Sequence, residues 1–374
     1  MIKKTCLAAL AAAFILALAG CGAREFVIAR ERPAEAPRTE EVKEEPEPAE
    51  PEEPEEQADK EPEQEEPEEP AEVPFTADDA RMVYSDFLSG NAKVTVSVNA
   101  DHSGEIGMCY RDIIPDGSEC TLNEILDALR QDVMTRFEVS DEEMSDRDFE
   151  MEAAEIDCGA DGMPEYLISA RLLVRMDEFT EFMIIKADGD TPRLCYSNST
   201  GSRSFININE YGYIAEEGSG GASYDQVEKS FVDAAGQWHF LYGAASESDV
   251  VGQQIYYNDE MLSIPKKSAG DFKDVLFFRF WFEDVPEDAR MYSYSYSLRG
   301  EYDENGEEEY SSNLLSRDEA IYAKDSVYMK TFEKLGIPVE PLTDIDEKIA
   351  QKEKAEGLDD MIKHGEIVMG YLGE

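Results

Sequence analysis

Phe179-Thr180-Glu181-Phe182-Met183-Ile184-Ile185-Lys186-Ala187-Asp188-Gly189-Asp190-Thr191-Pro192-Arg193-Leu194-Cys195-Tyr196-Ser197 decides the fold. Two runs rich in β-branched and aromatic residues, Phe179 to Ala187 and Arg193 to Ser197, flank Asp-Gly-Asp, a strong turn signal. The same grammar extends in both directions. Met151 to Asp157 and Tyr166 to Val174 precede it. Ser204 to Ile208, Tyr213 to Glu216, Gln226 to Val232 and Trp238 to Tyr242 follow, with turn signals at Asn209 to Gly212 and Asp233 to Gly236. None of these connections is long enough for a crossover helix, so the spacing predicts an antiparallel meander. Val275 to Phe282 and Met291 to Leu298 add two strands across a loop at Pro286.

Helices are expected at both ends of this β region. Thr76 with Asp79 and Thr121 with Glu124 form capping pairs. Behind the second, Leu122, Ile125, Leu126, Leu129 and Val133 recur at helical spacing. Lys93 to Val98 reads as a strand between the two helices. Near the C-terminus, Ser316 and Glu319 form a third capping pair ahead of an apolar stripe through Ile321, Val327, Tyr328, Phe332 and Leu335, stopped by Gly336 and Pro338. Ile345 to Ala355 reads as a charged surface helix. Helices segregated at the ends of an antiparallel sheet define an α+β class. Residues 75–374 are long enough for one large domain, with a subdivision near 245 as the alternative.

The N-terminus carries an address. Lys3 and Lys4 precede an uncharged apolar run, Leu7 to Leu18, too short to span a bilayer and suited to a secretory signal segment over 1–20. Its close, Leu18-Ala19-Gly20-Cys21, resembles the lipobox of bacterial lipoproteins. That resemblance covers only the signal segment. It implies a diacylglyceryl thioether on Cys21, carrying palmitate-type acyl chains, cleavage before it, and a protein held to the extracytoplasmic face of a cell membrane. Gly22 lacks the Asp that retains such proteins at an inner membrane, which in a two-membrane cell favours the outer membrane.

Composition shifts sharply after the anchor. Between Glu31 and Pro74 lie 20 acidic residues, 4 basic residues and 10 prolines, a net charge of −16. A segment with so little apolar surface cannot offset its ordering entropy, so 21–74 is expected to be a disordered, self-repelling Glu/Pro linker. Extended at about 3.1 Å per residue, the stretch from Glu31 to Pro74 alone would reach on the order of 130 Å. The whole chain carries −51; with −16 on the linker and +3 on the leader, −38 falls on the remaining 300 residues. A body so acidic repels nucleic acid and leaves cations, basic proteins and neutral glycans as partners.

Four cysteines remain beyond the anchor. Their expected pairing, Cys109 with Cys120 and Cys158 with Cys195, is one of three connectivities, and free buried thiols are the alternative. No paired Cys-x-x-Cys spacing supports zinc, with His102, His239 and His364 as the only histidines.

Four features bear on chemistry. Asp157-Cys158-Gly159-Ala160-Asp161-Gly162-Met163-Pro164-Glu165 resembles the Asp-rich calcium loops of extracellular β-repeat proteins. Asp157, Asp161 and Glu165 would be the ligands and calcium the cofactor, although Gly159 stands where a further Asp or Asn belongs. The plainer expectation is a turn in which the aspartates bond backbone amides and Gly162 adopts positive φ. Tyr292, Tyr294 and Tyr296 share one strand face, which suits stacking on a glycan if exposed and a core row if buried. His239 lies between Trp238 and Phe240 with no Gly-x-Ser-x-Gly elbow in the chain to supply a nucleophile. Glu152, Glu155 and Asp157 crowd one strand and matter only if they line a cleft.

No catalytic set is assembled along the chain. A lipid-anchored binding or interaction protein is therefore the leading expectation, with an anchored hydrolase as the alternative. A transporter's solute-binding lipoprotein fits less well, since strand follows strand where doubly wound lobes would alternate strand and helix.

Overall fold

The computed structural model describes residues 75–96, 114–248, 254–263, 275–283, 290–296 and 319–370, apart from 116, 145–146, 176, 222–223 and 258–259. The expected signal segment and linker, Cys21, His102, Cys109 and Ser316 lie outside the described residues.

The chain is α+β. Helix α1, Ala77–Leu88, opens on a reciprocal Thr76–Asp79 capping box, and α2, Leu122–Arg136, on the matching Thr121–Glu124 box. Strands β1 (Val94–Val96) and β2 (Glu119–Cys120) lie between them, and the short α3 (Asp141–Met144) follows. Then come β3 (Glu150–Ile156), β4 (Glu165–Val174), β5 (Asp177–Asp188) and β6 (Thr191–Thr200). They form a continuous antiparallel meander, and β1 joins its far side parallel to β6, giving the order β2-β1-β6-β5-β4-β3.

The meander does not continue as one sheet. Strands β7 (Ser204–Asn209), β8 (Tyr213–Gly221), β9 (Tyr224–Val232) and β10 (Trp238–Ser248) begin a second sheet. After a separate hairpin of β11 (Gln254–Tyr257) and β12 (Glu260–Ser263), β13 (Val275–Trp281) and β14 (Met291–Tyr296) complete one side of it. The other edge is β15 (Ile367–Met369), and the order is β14-β13-β10-β9-β8-β7-β15. The reason for two layers lies in the strands themselves. β5 is buried along seven consecutive residues, so both of its faces need cover. Phe179, Met183 and Ile185 face α1 and α2, packing with Tyr84, Phe87, Ile125, Leu129 and Val133. Phe182 and Ile184, with Leu167 and Tyr196, pack against Ile206, Ile208, Ile214 and Val232 of the second sheet. Each such side chain taken fully out of water stabilises the fold by about 1.5–3 kcal/mol.

Tyr84 ties α1 to the first sheet: its hydroxyl donates to the Pro164 carbonyl at 2.7 Å and accepts from the Ala187 amide at 2.9 Å. Ala245, near which a domain boundary was an option, sits in mid-β10, paired to Gln226 and Arg279 on either side. The sheet is continuous there among the described residues.

The C-terminal helices differ from expectation in two respects. Glu319 opens only a 3₁₀ turn, Glu319–Tyr322, while α4 spans Val327–Leu335 with Ser326 as its N-cap and Gly336 as a left-handed C-cap at φ 73°. Ser326 lies closer to the apolar stripe and its hydroxyl accepts the Met329 amide, so the helix starts there. Helix α5, Leu342–Ala355, is not merely superficial: Leu342, Ile345 and Ile349 pack on Phe278 and Phe280 of β13. The short α6, Asp360–Lys363, leads into β15.

Candidate functional site

The two sheets part toward the β3 side, leaving a cleft of about 530 Å³. Its lining follows from strand alternation. Glu150 and Glu152 of β3 pair with Arg171 and Ser169 of β4, which neighbour Thr180 and Phe182 of β5. Because cross-strand partners share a face, all six project toward the second sheet. Thr200, Gly201, Ser202 and Ser204 close one end of the cleft, and Phe205, Ile206 and the segment Val368–Gly370 form the opposite wall.

The cleft is hydroxyl-rich and acidic. Among the described residues that line it, Arg171 is the only cation; it bonds Glu150 and lies 3.5 Å from Glu178. Ser202 donates to Asp177 at 2.6 Å, which fixes the turn at the closed end. Deeper along the same face of β6, Tyr196 and Asn198 donate to the two oxygens of buried Glu216 at 2.8 and 2.7 Å. These buried polar groups satisfy one another beneath the cleft lining.

The Asp157–Glu165 loop folds as a turn. Both Asp157 oxygens accept the Gly162 amide, at 3.0 and 3.2 Å, and Asp161 accepts the Met163 amide at 2.8 Å. Gly162 has φ +84°, the left-handed region a turn requires. Glu165 points inward instead of toward the aspartates. It is fully buried, bonded to Lys186 and to the Cys158 amide, and burial pushes its pKa up to about 7 against the pull of that ammonium. The three carboxylates do not converge. Gly159, the departure from the calcium pattern, also has a structural cause: a Cβ there would lie 2.5 Å from the Ala234 nitrogen. Among the described residues no group of three or more His, Cys, Asp or Glu side chains is placed to hold a metal ion.

The remaining sequence-derived residues are also accounted for by packing. Tyr292 and Tyr294 are fully buried, with rings against Phe277, Phe332, Tyr257 and Tyr322, so they present no platform for a sugar. The side chain of Tyr296 lies outside the described residues. Cys158 and Cys195 are separate buried thiols and not a disulfide, and Cys120 is free as well. Each of the first two fills its own slot under a glycine, Cys158 beneath Gly212 and Cys195 beneath Gly236. Burial pushes Cys195 up to about 12 and Cys158 well above the ordinary thiol value, so neither is a ready nucleophile.

His239 stacks on Phe231 and bonds a carboxylate at each ring nitrogen, Glu356 at 2.9 Å and Asp233 at 3.0 Å. No ring nitrogen remains to accept a proton from a serine. Of the crowded carboxylates, Glu155 pairs with Arg81, Asp157 caps the turn, and only Glu152 reaches the cleft. The sequence reading missed Glu150, Arg171 and Glu178. Their alternation was visible, but nothing in one strand says that a second sheet faces it.

No protein-family model, curated protein or solved structure matches this chain. Among the described residues no helix is long and apolar enough to cross a membrane.

Proposed function

We propose that this protein is a lipid-anchored, extracytoplasmic binding protein, attached through Cys21 and displaying its acidic body on the 21–74 linker, with the inter-sheet cleft as its ligand site. The cleft carries this reading: polar side chains of the first sheet face a mainly apolar wall of the second across open space. A lining of hydroxyls and mostly paired charges orients a ligand through hydrogen bonds. Of the features that could have supported hydrolysis, His239 bonds a carboxylate at each ring nitrogen, and of Glu152, Glu155 and Asp157 only Glu152 reaches the cleft.

Two measurements test the proposal. A clickable palmitate analogue fed to cells should label the wild type and not Cys21→Ser. Hydrogen exchange of β3 to β6 should be slower in native membrane fragments than in detergent-purified protein, and Gly201→Trp should abolish that difference. Position 201 suits the test because it lines the cleft and a Cβ there meets nothing within 4 Å, so a side chain starts there without clashing with the backbone. Equal exchange in both preparations would remove the cleft as a binding site, and unlabelled wild type would remove the anchor.

A further inference from the structure

Strand β3 is the free edge of the first sheet among the described residues. Its seven residues pair with β4 without a break, from Glu150 opposite Arg171 to Ile156 opposite Glu165. Every second backbone N–H and C=O along β3 therefore points away from the sheet. Residues 150–153 are exposed, so this row of donors and acceptors is open to solvent. Such an edge is a template for one more strand.

The side chains along the edge select what that strand can be. Glu150 and Glu152 lie on the cleft face, two residues and so about 7 Å apart. Met151 and Ala153, both exposed, occupy the opposite face. Three carboxylates against one guanidinium give the cleft lining an excess of two negative charges.

Resting on the reading of the cleft as the ligand site, we propose that β3 accepts an extended basic segment of a partner protein as an additional strand. Lysine or arginine at alternate positions reaches Glu150 and Glu152, and the intervening apolar residues cover Met151 and Ala153. The recognised pattern is basic-apolar-basic-apolar, and its two cations match the charge excess of the cleft.

Other occupants fit less well. A second copy of the chain would set Glu150 and Glu152 against the same residues, and like charges across a strand pair are destabilising. The chain's own linker, at −16 over 31–74, is repelled in the same way. A glycan would need an exposed ring to stack upon, whereas Phe182 is buried and Phe205 only half-exposed.

The probe is a fluorescein-labelled, acetylated octapeptide alternating lysine and valine, titrated into detergent-solubilised full-length protein and followed by anisotropy. Binding should weaken about tenfold between 50 and 200 mM salt, and about tenfold again with Glu152→Lys. Glu347→Lys changes the net charge equally at an exposed position on α5 and should leave affinity within about twofold.

A further peptide, N-methylated at every residue, can pair along neither edge whichever way the strand runs, and strand addition requires that it not bind. Binding of this peptide equal to the parent's, or equal loss with Glu152→Lys and Glu347→Lys, would reduce the interaction to generic polycation attraction and overturn the proposal. So would failure of the parent peptide alongside chitohexaose binding that Gly201→Trp abolishes. If membrane fragments protect the cleft strands yet no peptide binds, strand addition falls and the binding reading stands. If protection is absent too, both fall.

Discussion

Glu181 offers a sharp test of the packing. It lies on the face of β5 that meets α2, with no exposure to solvent, and the Ser197 hydroxyl donates to it. Burial raises its pKa from 4.5 to about 8, Asp132 adds to the rise, and the Ser197 and Ser199 hydroxyls only partly oppose it. The folded state therefore holds this proton more tightly than the unfolded state does. Between pH 4.5 and 8 the native form binds more protons, so stability declines as pH rises. The contribution is complete below the unfolded value and lost by the time pH passes the folded one. At about 1.36 kcal/mol per pKa unit, the cost of ionising Glu181 approaches 5 kcal/mol above pH 8.

Glu181→Gln keeps the shape and an acceptor for Ser197 but cannot ionise. Urea unfolding followed by the fluorescence of Trp238 and Trp281 should place the variant within about 1 kcal/mol of wild type at pH 5 and roughly 4 kcal/mol above it at pH 9. Asp132→Asn, which removes the neighbouring charge, should shift the wild-type decline to higher stability at alkaline pH by a smaller amount. A difference between Glu181→Gln and wild type that does not change from pH 5 to 9 would refute the burial argument.

Lys186→Met should leave Glu165 buried without its cation, costing about 3–5 kcal/mol at pH 8.5 and much less at pH 5, where the carboxyl takes up a proton; unfolding midpoints at the two pH values check this. Gly243→Ala would put a Cβ 2.0 Å from the Trp281 indole, so the ring must move; a loss of roughly 1–3 kcal/mol with altered near-ultraviolet dichroism is expected. Asp157→Ala should cost about 1 kcal/mol through the lost bonds to the Gly162 amide, and by the same amount in calcium as in chelator. A calcium-dependent midpoint in the wild type that this substitution removes would restore the metal reading.

Local signals in the sequence carried well into the structure. The Thr76 and Thr121 capping boxes form as written, because each depends on four consecutive residues. The meander from Met151 to Ser197 also forms, since turns of this length leave neighbouring strands little choice but to pair. What the sequence did not reveal is where one sheet ends and the next begins. The turn from β6 to β7 resembles the other turns, and only the two-sided burial of β5 requires a second layer. The cleft depends on that layer, so Glu150, Arg171 and Glu178 could not be joined into a site beforehand. The tyrosine row had equal standing as core or surface until α4 and the 3₁₀ turn at Glu319–Tyr322 covered it, with Tyr294 donating to the Ile321 carbonyl at 2.6 Å. The calcium resemblance failed for a non-local reason as well. Gly159 answers to Ala234, seventy-five residues away, and Glu165 to Lys186 on the adjacent strand.

Charge connects the edge strand to the rest of the chain. An open seven-residue edge is normally a route to self-association, and acidic side chains along it are a recognised defence. Here the defence also confers direction. Glu150 and Glu152 oppose a second copy and the chain's own linker while attracting a basic strand, and a body at −38 extends that attraction beyond the edge itself. Only charges near the edge act at close range under physiological salt, where the screening length is about 8 Å. The distant acidic residues should therefore govern how fast a basic partner arrives, and Glu150 and Glu152 how long it stays. Rate measurements on the octapeptide separate the two: Glu347→Lys should lower the association rate slightly and leave dissociation unchanged, whereas Glu152→Lys should act mainly by accelerating dissociation.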